Sequence, residues 1–169
     1  MFNALFLARP DIYRLFDPLA LWHYEPRISE PIVVRTYTDA FTVGDKASLT
    51  RRFSRLEILM FCWLSGDWNP VHWDVEKAQK SRFAGIIAHG FFVGSLASTL
   101  FGTAFPGADT IYLSQTMNFR AVVRPEDSVV FSAEIVEIMG EKRNRARLKC
   151  LWTVRDKVVL EGEAVLLLP

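Results

Sequence analysis

From residue 110 onward the chain alternates apolar and polar side chains at a period of two, in runs near residues 110–120, 127–139, 143–156 and 158–168. That period marks half-buried strands, because successive side chains leave a strand on opposite faces. Gly140 and the pair Asp156-Lys157 punctuate the runs and predict tight turns. Strands joined this closely pair antiparallel with their neighbours. The sheet they form has an apolar face that another element must cover. The segment just upstream supplies that cover. Ile86-Ile87-Ala88-His89-Gly90 leads into an apolar stretch, rich in Gly, Ala and Ser, that stops before Pro106. Its composition predicts a helix buried on most sides.

Earlier in the chain, residues 41–53 read as a strand with a turn at Val43-Gly44-Asp45-Lys46 near its start. Ser54-Arg55-Leu56-Glu57 has the form of a capping box, in which serine and glutamate satisfy orphan amides at a helix start. The helix it opens, over residues 55–64, gathers Leu56, Leu59, Met60 and Trp63 on one side, and Gly66 suits its C-terminal cap. Asp74 caps a further short helix through Lys80. One early strand, a central buried helix and a closing meander predict an α+β domain over residues 41–169 whose antiparallel sheet wraps around the helix, the hot-dog fold. Residues 1–40 carry aromatics and prolines without a sustained period, and are read as an N-terminal extension with a short helix at residues 11–16.

The chain has 169 residues, half of them hydrophobic, which suits one domain with a sizeable core. Its 20 basic and 19 acidic residues leave a formal charge of +1, so composition gives no basis for binding nucleic acid or an anionic membrane surface. No apolar run approaches the roughly 20 residues of a membrane span. The two cysteines, Cys62 and Cys150, lack the spacings of metal or redox sites and read as buried thiols. Neither a metal nor a cofactor is expected. At the N-terminus, apolar residues 1–8 followed by Arg9, Arg14 and Arg27 resemble a mitochondrial transit peptide, while Asp11, Asp17 and Glu25 do not. The extension is therefore either a targeting segment, placing the protein in the mitochondrial matrix, or an appendage packed on a cytoplasmic domain.

The residues suited to chemistry fall where the first helix stops. Asp67 and His72 lie five apart on a loop kinked by Pro70, a geometry that turns both side chains toward one point and lets one water contact both. Adding water across a double bond conjugated to a carbonyl needs a base at the water and an acid at C2. A carboxylate and an imidazole near neutrality suit that division. Taken alone, a turn-forming aspartate and a core histidine explain the same residues. Gly90 adds a second component, since its amide is among the donors left unpaired at a helix N-terminus and is placed to stabilise a thioester oxygen. Close packing of the helix explains that glycine equally well. His89 reads as a structural helix-entry histidine, and Ser98 as a small residue at a helix–sheet contact.

Several ordered motifs resemble those of the MaoC-like R-specific enoyl-CoA hydratases, or hydratase 2, a family that includes bacterial hydratases of polyhydroxyalkanoate synthesis and mitochondrial 3-hydroxyacyl-thioester dehydratases. The signature runs Leu64-Ser65-Gly66-Asp67-Trp68-Asn69-Pro70-Val71-His72-Trp73-Asp74, then Ala78, Phe83 and Ile87-Ala88-His89-Gly90. Pro106-Gly107, Ile111-Tyr112-Leu113-Ser114-Gln115, Phe119 and Gly162-Glu163-Ala164-Val165 extend it. The resemblance implies Asp67 and His72 as the catalytic pair, Asn69 as a support, the Gly90 amide at the thioester carbonyl, and Ser98 as a hydrogen-bond partner of the aspartate. It implies reversible hydration of trans-2-enoyl thioesters to (R)-3-hydroxyacyl thioesters, on coenzyme A or acyl carrier protein, by a homodimer. The chain departs from the family pattern at the bulky Trp68 and Trp73 and at Val123-Arg124-Pro125-Glu126-Asp127, where Pro-Val-x-x-Gly-Asp is more common.

Arg143, Arg145, Arg147 and Lys149 alternate along one predicted strand and so share a face of the sheet. They form either a solvated outer face or a landing site for the phosphates of coenzyme A or an acidic carrier protein. Two other functions fit the same fold: a non-catalytic acyl-thioester binding subunit, and a thioesterase.

Overall fold

A computed structural model describes residues 32–35, 40–140 and 144–169, and in it the meander is one antiparallel sheet. Its strands are β1 (Val33–Arg35), β2 (Lys46–Arg52), β3 (Ile111–Gln115), β4 (Asn118–Phe119), β5 (Ser128–Met139), β6 (Arg145–Val154) and β7 (Lys157–Leu167). They are ordered β1-β2-β5-β6-β7-β3, with β4 also paired to β7. Four helices interrupt the sequence between β2 and β3: α1 (Arg55–Ser65), α2 (Val75–Lys80), α3 (Gly90–Gly94) and α4 (Leu96–Thr103).

The alternation sets the two faces. Along β5, Val129, Phe131, Ala133 and Ile135 point into the core, and Ala146, Leu148, Cys150 and Trp152 do so along β6. They meet Leu96, Ala97, Leu100 and Phe101 of α4 in a single cluster. Phe131 lies between Phe101, at 5.8 Å, and Trp152, at 4.4 Å. Register shifts at Ile135/Glu137 and Trp152/Thr153 bend the strands, which is how a sheet curls around a helix instead of lying flat beside it.

Local chemistry places the elements largely as the sequence predicts. The Ser54 hydroxyl accepts from the Glu57 amide at 3.2 Å, and the Glu57 carboxylate accepts from the Ser54 amide at 2.6 Å. Gly66 closes α1 in the left-handed conformation, its amide donating to the Cys62 carbonyl. Asp74 caps α2 through the Lys77 amide.

Several details differ, among them the run at 110–120, which is divided into β3 and β4, and the face of α1, where Ile58 and Cys62 are buried and Leu56 is exposed. The central helix is divided at Ser95, whose amide donates to both the Phe91 and Phe92 carbonyls, so α3 and α4 are successive segments. The β6–β7 turn sits one residue earlier than predicted. Arg155 and Asp156 both have positive φ, and Lys157 already belongs to β7; two successive positive φ values make the tight hairpin whose twist suits antiparallel strands. Finally, β1 draws part of the stretch assigned to the extension into the sheet, pairing Val33, Val34 and Arg35 with Ser48, Ala47 and Lys46. The predicted short helix at residues 11–16 lies outside the described residues, as do the residues that decide between a targeting segment and an appendage. Among the described residues, no helix is long and apolar enough to cross a membrane.

Candidate active site

The loop after α1 is held mainly by its own side chains. The Ser65 hydroxyl donates to the Phe61 carbonyl and accepts from the Asp67 amide. Asp67 Oδ1 accepts from the Asn69 amide at 3.1 Å, and Asn69 Oδ1 accepts, at a long 3.4 Å, from the Val71 amide. Asn69 thereby caps a single 3-10 turn, Pro70–His72, in which proline occupies the position that needs no amide hydrogen. The turn lifts His72 into the interior, where it is 9% exposed. The segment before α3 then grips it twice, with the Ile87 amide donating to the Val71 carbonyl and His72 Nδ1 2.9 Å from the Ile87 carbonyl.

That second contact settles the tautomer of the imidazole. A carbonyl only accepts, so Nδ1 carries a hydrogen, and in the neutral ring Nε2 presents the lone pair. Asp67 Oδ2 lies 3.8 Å from that Nε2, too far for a direct hydrogen bond and close enough for one water to touch both. The two side chains differ sharply in setting, Asp67 being 53% exposed. A lone pair on a buried ring facing a half-exposed carboxylate is a base and a partner aimed at one small volume.

Gly90 begins α3, and its amide has no intrahelical acceptor. A Cβ at this position would fall 2.5 Å from a ring carbon of Phe119, so any other residue would have to displace that ring from the helix start. Ser98 lies on α4, exposed, and no hydrogen bond joins it to Asp67 within the chain. Trp68 packs on Trp73 and on Trp63, with centroids 6.4 and 5.3 Å apart, and the Trp73 indole donates to the Trp68 carbonyl. Glu126, at the departure from the common Gly-Asp turn, has φ 65 and so adopts the conformation a glycine would take freely.

His89 is the residue whose surroundings sequence reasoning missed. Its ring stacks on His72, with centroids 3.6 Å apart and planes at 24°. Its Nε2 lies 3.2 Å from the Asp67 carbonyl and 3.6 Å from Cys62 Sγ. Burial, and then the neighbouring His72, push its pKa below the usual value, while burial lifts the Cys62 thiol to about 11. Asp67, His72 and His89 bring ligand atoms within 4.8 Å of one another. With its Nε2 hydrogen directed at the Asp67 carbonyl, His89 offers no lone pair on that side, so the groups left facing each other are Asp67 Oδ2 and His72 Nε2.

On the outer face of β6, Arg147 bridges Glu137 at 2.9 Å and Glu163 at 3.5 Å, and Lys149 stands in register between Glu134 and Glu163. Acids interleave the basic stripe and make it a largely balanced face. Arg143 lies outside the described residues.

Fold and pair together define a class, the hot-dog hydratases and dehydratases. Within it the chain belongs to the MaoC-like domain family, whose model matches residues 39–155. It is 40% identical over 133 residues to a 3-hydroxybutyryl-CoA dehydratase of Methylorubrum extorquens, covering 79% of this chain and 84% of the relative. It is 34% identical over 130 residues to a mitochondrial 3-hydroxyacyl-(acyl-carrier-protein) dehydratase of Arabidopsis thaliana, covering 75% and 77%. Among solved structures, the (R)-hydratase of A. caviae involved in PHA biosynthesis superposes with a TM-score of 0.75 at 34% identity, over 78% of this chain and all of that one.

Proposed function

We propose that the chain adds water reversibly to trans-2-enoyl thioesters, giving (R)-3-hydroxyacyl thioesters in fatty-acid metabolism, with Asp67 and His72 as the catalytic pair. The observation that carries this reading is the 3.8 Å approach of Asp67 Oδ2 to Nε2 of His72, beside the start of a helix. In hydration, His72 Nε2 takes a proton from the shared water as its hydroxide bonds to C3. The Gly90 amide holds the thioester oxygen as charge develops there. Asp67 orients the water, then takes that proton from His72 Nε2 and delivers it to C2, so that one water is consumed and both side chains return to their starting state. Dehydration is the same path reversed.

Relatives named for coenzyme A and for acyl carrier protein substrates both support a thioester with a phosphate-bearing handle. On β6 the cations offered to such phosphates are Arg145 and Lys149, which form no ion pair among the described residues, whereas Arg147 is already paired. A homodimer is supported by β3, an edge strand whose Ile111, Tyr112 and Leu113 are 54%, 39% and 47% exposed in the single chain.

Crotonyl-CoA hydration tests the assignment. Removing a positioned acid or base costs about 10²- to 10⁴-fold, so Asp67→Asn and His72→Ala should each lose at least that much. Near wild-type turnover in either variant would reject the pair. Release of free thiol instead of a hydroxyacyl thioester would make the protein a thioesterase.

A further inference from the structure

The mechanism above makes no use of His89, yet that residue touches both of its actors. It is 3% exposed, it covers one face of the His72 ring, and it reaches the peptide that carries Asp67. Its partners fix its tautomer. With the Asp67 carbonyl as acceptor, Nε2 must hold the hydrogen, and Nδ1, which has no partner, is the bare lone pair. The opposite tautomer would set a lone pair against the carbonyl and strand an N–H in the interior.

The ring is itself backed. Phe61 of α1 packs against it at 4.9 Å with the planes tilted by 57°, and Phe92 of α3 stacks on Phe61 at 4.8 Å and 13°. The Arg51 guanidinium sits 5.6 Å over Phe92 and is anchored by Glu57 at 2.8 Å. Ring contacts, two of them stacked and one tilted, thus link a largely buried ion pair to the face of His72. Such packing restrains ring rotation, and reacting groups displaced by about 1 Å can lose about 10²-fold in rate.

We propose that His89 is a positioning residue for the reaction assigned to Asp67 and His72, its ring setting the plane of the His72 imidazole and its Nε2–H tethering the Asp67 peptide. The inference rests on that assignment. A neutral ring does both tasks without adding a second cation beside His72. A mere filler of the helix entry would need neither the donor nor the parallel stack.

Three substitutions separate these roles. His89→Phe keeps a flat ring and loses the donor, His89→Gln keeps an N–H donor and loses the ring, and His89→Ala loses both. For the alanine variant, kcat on crotonyl-CoA should fall about 10²-fold, with KM within about threefold of wild type. The phenylalanine variant should lose about tenfold in kcat, the worth of one hydrogen bond, at nearly wild-type Tm. The glutamine variant should turn over faster than the alanine variant despite packing no better. Wild-type kcat in His89→Phe, or losses in all three that follow Tm alone, would overturn the proposal, and the phenylalanine result decides even if the alanine variant fails to fold. Asp67→Asn and His72→Ala assayed alongside distinguish the two failures. Active controls reject the catalytic pair itself, whereas dead controls beside unaffected His89 variants reject only the positioning role.

Discussion

At the scale of single residues, the same burial that keeps His89 neutral ties stability to pH. In the unfolded chain it titrates near the ordinary 6.5, and in the fold its pKa is lower. Between those two values the unfolded state binds more protons. The stability His89 contributes is therefore complete above about pH 6.5 and is lost as pH falls below it. The groups facing it are Asp67, whose charge opposes the shift, His72, which adds to it, and the Cys62 thiol. Thermal melts from pH 8 to pH 5 should show wild type losing Tm below pH 6.5 more steeply than His89→Gln. Parallel curves would remove His89 from that limb. Asp67 and His72 were legible as a pair because spacing and a proline bring them together locally. The role of His89 was not, because its stack on His72 forms across the gap between the motif loop and the helix entry, and no periodicity records contacts between irregular segments.

Among elements, the tightest constraint lies where β3 gives way to β4. A Cβ on Gly162 of β7 would stand 1.8 Å from the Thr116 carbonyl oxygen, and Thr116 also exchanges hydrogen bonds with Glu163 through its amide and its hydroxyl. Backbone meets backbone there, so nothing flexible can yield. Gly162→Ala should cost about 3 kcal/mol or more, at or beyond the upper end for overpacking, read as a large drop in Tm or in the denaturant midpoint. A fully stable variant would mean that the crossing is looser than described. This contact also gives a physical reason for the closing Gly-Glu-Ala-Val motif, which the sequence showed without explaining. The strands, caps and central helix were readable because period and capping chemistry are local signals. The split at Ser95, the early turn at Arg155-Asp156 and the recruitment of β1 were not, since each depends on what lies across the sheet or beneath the helix.

For the whole molecule, β3 is the strand that assembly should cover. It is an edge strand of the described sheet, and it is apolar on a side that meets no other described strand. Exposed edges of this kind invite pairing with another chain. Sedimentation at micromolar concentration should give twice the chain mass for wild type. Leu113→Lys should shift the population toward monomer, and a monomeric wild type would refute the edge-to-edge dimer. The site offers its own means of observation. Three of the five tryptophans, Trp63, Trp68 and Trp73, are gathered on and beside the loop that carries Asp67. Trp152 is fully enclosed in the core. A substrate analogue that enters the gap between Asp67 and His72 should therefore shift the emission of this indole cluster, with Trp152 in the core as a steady background, so the loop can signal its occupancy as light with no label attached.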